Sequence, residues 1–405
     1  MIFPANNHIS VEENIMPASE VYQEVHRLLR GYLSTGIDES SRTRLALLVT
    51  GIIGAKNASP ARIANALHKM GLRDAKQESI ERQIRRIEND PEISALICFH
   101  PFARWRLLYG RPRRVFLIVD PTSQADRIFM VSVAIWYRGR ALPLAWTTWE
   151  ANTPLTGKRF WERIEELLEM VSELLPKDIP VICMADRAFG TPAFTDLLVK
   201  RGWHYVVRVQ GQTLCQDCTG KTCRVEHLVQ MTGQRAKMKG KLFKSSGWRE
   251  ASVVVFWNGT YTSPLCLVSD LPPDWNLLEY YRRRYPIEAM FRDYKSSGWQ
   301  WEKGQVKNPE HMERLLVGVA LATWVVLCVG SQVAQEILSK PSSGNRYTRP
   351  YEGKFSLFTL GLERLLHCLT SDLCFQPYWL LLDWDRSNWQ TQIRSHHAFA
   401  FIWAS

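Results

Sequence analysis

Two hydrophobic rhythms divide the chain. Over residues 1–110 the apolar positions recur at helical spacing, in Tyr22 to Tyr32, Arg42 to Ile53, Pro60 to Met70 and Gln77 to Asn89. Ser59-Pro60 predicts an N-cap followed by proline in the first turn, and Gly71 predicts the stop. The fourth helix ends before Pro91; its apolar stripe is Ile80, Ile84 and Ile87, and Arg82, Arg85 and Arg86 occupy its other faces. Two short helices with one basic partner suggest a helix-turn-helix-like, DNA-binding module, although the loop between them is longer than usual. The alternative is a plain helical bundle with a solvated basic face.

From residue 111 the pattern shifts to short apolar runs. Val115 to Asp120, Ile128 to Tyr137 and Arg140 to Trp149 predict three strands, and Phe160 to Leu175 an amphipathic helix. Val181 to Asp186, Thr191 to Arg201 and Trp203 to Val209 continue as strand, helix and strand. The order β-β-β-α-β-α-β predicts an α/β class with a mixed sheet and flanking helices over 111–209. Residues 210–275 predict a β-rich insertion, with strands at Ala251 to Phe256 and Pro264 to Val268. Residues 276–338 return to helix, at Leu277 to Gln300 and Met312 to Leu338, and complete the core. Residues 339–405 are expected to be a short helical tail rich in aromatics.

Composition narrows the function. The 405 residues are 46% hydrophobic and 22% charged, which excludes wholesale disorder. Lys and Arg outnumber Asp and Glu by 51 to 40, a formal charge of +11 that favours a polyanionic partner, nucleic acid first. The first residues show no basic segment followed by an apolar one, so no secretory signal is expected, and the nine cysteines are read as reduced in a cytoplasmic protein. Leu315 to Val333 is uncharged and just long enough to span a bilayer. It contains Gly318, Thr323, Gly330 and Gln332 and stands alone, so a buried core helix is expected, not a membrane anchor. No GxxxxGK[ST] phosphate loop occurs, so no ATP requirement is implied.

Candidate chemistry sits at strand ends. Asp120 and Asp186 each close an apolar strand, and functional groups gather where neighbouring parallel strands end. Turns also favour Asp, so each acid alone is weak. Downstream, Tyr281, Arg284, Glu288 and Lys295 fall within about 60° of one another on a continuous helix turning about 100° per residue. Pro286 is expected to start a new helix or kink this one. A solvated helix with favourable charge pairs is the competing reading.

The spacing Tyr281-x2-Arg284-x3-Glu288-x6-Lys295, with Phe291 and Arg292 inside it, resembles the YREK signature of the DDE transposases of bacterial insertion sequences. Ala185-Asp186-Arg187-Ala188-Phe189-Gly190 is similar to that family's second-acid motif, and Val119-Asp120 to its first. The resemblance covers about residues 115–333. It implies an RNase H-like fold, a catalytic triad of Asp120, Asp186 and Glu288, and Mg²⁺ or Mn²⁺, two ions, held by those three. Glu288 lies 102 positions after Asp186, similar to relatives that carry a β-strand insertion there. Phosphodiester cleavage suits three hard carboxylates, because two metals about 3.5–4 Å apart activate one oxygen and stabilise the other. The implied DNA contacts are Tyr281, Arg284, Arg292 and Lys295, with Arg187 either contacting DNA or structuring the site. In related transposases an insertion-domain Trp stacks on a displaced base, for which Trp248 and Trp257 are candidates; Trp299 and Trp301 are further aromatics beside Lys295.

Arg235, Lys237 and Lys239 open a basic run to Arg249 with no acid among its charges before Arg249, either a DNA backbone track or a solvated loop. Cys215-x2-Cys218-x4-Cys223-x3-His227 has zinc-knuckle spacing, against cysteines unliganded in a reduced loop; the resemblance implies no zinc. The expected activity is cut-and-paste transposition, with binding of terminal inverted repeats, 3′-end joining to target DNA and self-association in the DNA complex. The alternatives are a nuclease without strand transfer, a non-catalytic DNA-binding regulator, and a membrane-anchored protein.

Overall fold

Helix α10, Pro309–Ser339, is the apolar segment the sequence singles out, and the rest of the molecule is arranged around it. The computed structural model describes residues 17–33, 36–110, 112–259, 261–339, 355–371 and 375. Within α10 the most apolar stretch is 94% buried, so it is a core helix. Its Trp324 indole donates to the Pro143 carbonyl at 2.8 Å, which ties it to the sheet. Its Thr323 hydroxyl accepts from the Trp299 indole at 2.9 Å. Buried polar atoms on an apolar helix need such partners.

On one side of α10 pack α2 (Glu39–Ala55) and α4 (Gln77–Asn89), with α1 (Pro17–Tyr32) and α3 (Pro60–Lys69) packed on α2 and α5 (His100–Gly110) beside α1. Asp38 caps α2, its carboxylate accepting the Ser41 N–H at 2.6 Å. Pro60 opens α3 as the sequence predicts. Ile80, Ile84 and Ile87 form the buried stripe of α4.

On the other side lies one ten-stranded mixed sheet. The strands are β1 (Val115–Gln124), β2 (Ile128–Tyr137), β3 (Arg140–Glu150), β4 (Val181–Ala185), β5 (His204–Arg208), β6 (Leu214–Gln216), β7 (Thr222–Arg224), β8 (Arg235–Leu242), β9 (Arg249–Phe256) and β10 (Leu265–Ser269). Their order is β3-β2-β1-β4-β5-β10-β9-β8-β6-β7. The first three are antiparallel neighbours, and β4 and β5 run parallel to β1. Helices α6 (Gly157–Leu174) and α7 (Pro192–Lys200) connect the parallel strands. The β-rich stretch after β5 does not stand apart. Leu267 pairs with Arg208, so β10 extends the central sheet and carries β9, β8, β6 and β7 outward.

Three expectations are revised. Strand β1 does not end at Asp120 but runs on to Gln124, because Pro121 to Gln124 stay paired with β2 after the β4 pairing stops at Val119–Ala185. The basic run from Arg235 is not a loop but strand β8, paired with β9 along its length. The single helix expected over Leu277 to Gln300 is broken into α8 (Asn276–Arg282) and α9 (Pro286–Arg292), with a wide π turn at Asp293–Ser297. Pro286 starts α9, its ring being tolerated only in a first turn. Helix α11 (Leu357–Thr370) packs on α10; the remainder of the expected tail lies outside the described residues.

His100, at the start of α5, is 4% exposed, and its Nε2 has no hydrogen-bond partner. Burial lowers its pKa to about 4. The unfolded chain therefore binds a proton below about pH 6.5 that the folded chain refuses until about pH 4. Stability from this residue is full above that window and falls as pH drops through it, by up to about 3 kcal/mol. Urea unfolding at pH 7 and pH 5 checks this against His100→Gln. The wild type should lose stability relative to the variant at pH 5; a difference that stays constant with pH would refute it.

Candidate catalytic site

The parallel pairing of β1 with β4 brings the first two acids together. Val119 pairs with Ala185, so Asp120 and Asp186 are the next residues on neighbouring strands. Asp120 is 8% exposed. Asp186 is half-buried and caps the short turn Arg187–Phe189, its Oδ1 accepting the Arg187 N–H at 2.6 Å.

The third acid arrives through Arg284. This residue lies in the break between α8 and α9 and is 7% exposed. Its Nη1 donates to Asp120 Oδ1 at 3.1 Å and its Nη2 to Glu288 Oε1 at 2.8 Å. Glu288, in the first turn of α9, keeps about half its side chain exposed. One buried guanidinium thus joins a strand acid to a helix acid 168 positions later. A charge taken so far out of water requires such pairing.

The cluster carries more negative charge than Arg284 offsets. Burial raises the Asp120 pKa to about 7, and the charges of Asp186 and Glu288 push it the same way against the pull of Arg284. Burial works to lower the Arg284 pKa, but Tyr281, Asp120, Asp186 and Glu288 together hold it above its ordinary value. Among the described residues no three acid, cysteine or histidine side chains are already gathered around one ion position. The donor set nonetheless fits a hard divalent cation: three carboxylates from three segments, one of them buried and short of positive charge.

The other signature residues separate by burial. Tyr281 is 2% exposed, packed with its ring centroid 5.9 Å from the Arg284 guanidinium. Its ring is packed in the core, and burial raises its hydroxyl's pKa. Lys295 lies in the π turn, half-buried, with Nζ 3.7 Å from Glu302. Arg292 and Arg187 are exposed. Sequence reasoning passed over Asp293, which forms a buried ion pair with Arg140 of β3 and anchors the turn that carries Lys295. An acid inside the signature beside Arg292 was the available signal. Trp299 and Trp301 are 0% and 1% exposed and lie in the core.

A cleft opens beside Asp186, between the turn after it and the loop after β8; Trp161, Arg187, Thr191, Phe243 and Lys244 are among its walls. On β8 the alternation of the strand exposes Arg235, Lys237 and Lys239 on one side. Arg235 and Lys237 lie 4.7 and 5.4 Å from the centroid of the Trp275 ring. Trp248 is half-buried; Trp257 is half-buried too, its indole donating to the Tyr261 carbonyl at 3.0 Å. Cys215 and Cys223 pair across β6 and β7 with their sulfurs 3.6 Å apart, whereas Cys218 and His227 are exposed and do not gather with them into a site. Hairpin pairing places Cys215 beside Cys223 without the other two residues of the spacing. On α4 all three arginines are exposed, but Arg85 pairs with Glu81 at 2.7 Å and Arg82 donates to the Glu78 carbonyl.

Residues 159–325, from α6 into α10, match the family described as the transposase DDE domain. The match is to that domain family, over somewhat less than half of the chain. The matched stretch includes Asp186, Arg284, Glu288 and Lys295, while Asp120 precedes it. Among solved structures the chain is similar to a piggyBac transposase in its synaptic complex with hairpin DNA. The TM-score is 0.45 at 10% identity, over 93% of this chain and 82% of that one. No curated protein matches.

Proposed function

We propose that the protein is an insertion-sequence transposase that binds element ends, cleaves phosphodiester bonds there and joins the 3′ ends to target DNA. The observation that carries this reading is the meeting of Asp120, Asp186 and Glu288 around Arg284, within and beside the matched stretch. The strand order β3-β2-β1-β4-β5, three antiparallel and then two parallel, supports the RNase H-like assignment. The spacing of Tyr281, Arg284, Glu288 and Lys295 supports the YREK group.

In this reading Asp120, Asp186 and Glu288 hold Mg²⁺ or Mn²⁺, which when bound supplies activation of the attacking oxygen and stabilisation of the leaving one. Arg284 positions the carboxylates of Asp120 and Glu288 relative to one another. Lys295 and Arg292 bind the phosphates flanking the cut, Lys295 as a point charge on a turn fixed by the Asp293–Arg140 pair. Arg187 holds backbone at the second acid. Arg235, Lys237 and Lys239 form a track for more distant DNA, and Trp248 and Trp257 flank that region. Copies of the chain self-associate in the active DNA complex, in the cytoplasm.

The test is incubation of the purified chain with duplexes carrying the element's ends and Mg²⁺, followed by separation of nicked, excised and joined products. Cleavage with joining is expected. Cleavage without joining would reduce the reading to a nuclease, and binding without cleavage to a regulator. Within that assay Lys295→Ala should slow cleavage by about ten- to a hundredfold, the loss of a charged contact worth about 1.5–3 kcal/mol at the reacting phosphate. Its melting temperature should barely move, since a partly exposed pair such as Lys295–Glu302 contributes about 0–1 kcal/mol.

A further inference from the structure

We propose that the helical N-terminal region carries a phosphate-binding pocket between α2 and α4, which takes one backbone phosphate of bound DNA. The proposal rests on the DNA-binding reading above and adds a site that the signature residues do not include.

The pocket is a concavity of about 400 Å³. Arg44, Arg73 and Arg86 line it, with Ser40, Thr43 and Gln83 supplying neutral donors. The three guanidiniums are not equivalent. Arg44 is tied to Asp90 at 3.0 Å and to the Ser41 hydroxyl at 2.8 Å, so it is fixed and largely neutralised. Arg73 is half-buried, and its Nε is shielded from solvent with no hydrogen-bond partner. Among the described residues no carboxylate lies within ion-pair distance of Arg73 or Arg86. Glu39 is the one acid on the rim, and Arg42 and His26 already hold it, His26 at 3.1 Å.

Two uncompensated forks therefore face one concavity. That arrangement is costly empty, because like charges repel and a buried donor without a partner has lost its water. A phosphate removes both costs: guanidinium forks match its oxygens two at a time, and hydroxyl and amide donors complete the shell. The contrast on the same helix sharpens the choice. On α4, Arg85 pairs with the Glu81 carboxylate and Arg82 donates to the Glu78 backbone carbonyl, whereas Arg86 lines the pocket with residues of α2. The basic face of α4 is thus not one uniform DNA-facing stripe. Free phosphate shares this chemistry, but the +11 charge of the chain favours a polymer of phosphates.

The experiment uses the full chain and two double variants, Arg73→Gln with Arg86→Gln and, as control, Arg82→Gln with Arg85→Gln. Affinity for a duplex is read by fluorescence anisotropy between about 50 and 200 mM salt. Removing one phosphate contact should flatten the slope of log K against log salt by about 0.9 in the pocket variant. The affinity should fall by about tenfold or more. The control should change less on both measures. In a second arm, inorganic phosphate at constant ionic strength should raise the melting temperature of the wild type and not of the pocket variant. An unchanged slope with an unchanged phosphate response overturns the pocket. A lost phosphate response with DNA binding intact assigns the pocket to free phosphate and overturns the DNA source. A wild type that binds no duplex even at low salt sinks the DNA reading itself, and the phosphate arm alone then decides whether the pocket takes an anion.

Discussion

Asp120→Asn should reduce DNA cleavage by about a thousandfold or more while leaving the protein no less stable. On the proposed function, the loss follows from removing one of three carboxylates that would hold the catalytic cations, whose charge stabilisation is worth several kcal/mol, each 1.36 kcal/mol being tenfold in rate. The stability side follows from burial. Asp120 is 8% exposed with its pKa pushed up to about 7, so near neutral pH its ionised form is held at a cost. Asparagine keeps the shape, still accepts from Arg284 and removes the repulsion from Asp186 and Glu288. Above pH 7 the variant should match or exceed the wild type in melting temperature, and the advantage should shrink as pH falls through 7 and the carboxyl protonates in the wild type. Single-turnover cleavage and melting curves on the same preparations read both halves. A variant that melts far earlier, with activity lost only in proportion to unfolded protein, would make Asp120 a fold support.

The second large effect is on stability alone. Helices α10 and α11 meet backbone to backbone at Gly330 and Gly361. A methyl group at Gly330 would lie 1.8 Å from the Leu357 carbonyl oxygen, and one at Gly361 would lie 1.8 Å from the Val326 carbonyl oxygen. Neither obstacle is the end of a flexible side chain, so one helix must move. Gly330→Ala or Gly361→Ala should cost at least the roughly 1–3 kcal/mol of ordinary overpacking. Gly31→Ala in α1, with nothing within 4 Å of the added carbon, should be neutral or slightly stabilising. Chemical unfolding of the three variants distinguishes them; equal stabilities would mean that α11 is not held at this contact.

How much of this was legible in the sequence varies with the range of the interaction. The limits of α4 and the burial of Ile80, Ile84 and Ile87 follow from local periodicity and Pro91, and the structure has them at Gln77–Asn89. Strand β2 is found at Ile128–Tyr137 as its apolar run predicts. The adjacency of Asp120 and Asp186 was an inference about which strands would neighbour, and the β1–β4 register supplies it. Strand β8 was hidden because its outward residues are Arg and Lys and its inward ones include Ala236 and Gly240, so no hydrophobic alternation marked it. The role of Arg284 as the bridge between Asp120 and Glu288 was not readable either. Its spacing to Glu288 is local, but its partner Asp120 lies 164 positions away. A helical projection put Tyr281 on the same face as Glu288; the break at Arg283 to Tyr285 and Pro286 turned it into the core instead.

The central claim is that Asp120, Asp186 and Glu288 form one metal-holding, DNA-cutting centre. It is tested most directly by the anomalous scattering of Mn²⁺ in crystals of the chain bound to an end-carrying duplex. The account predicts Mn²⁺ density touching carboxylate oxygens of all three acids, beside the scissile phosphate. Manganese bound elsewhere, with the three acids contacting only Arg284 and protein atoms while the DNA is in place, would contradict it.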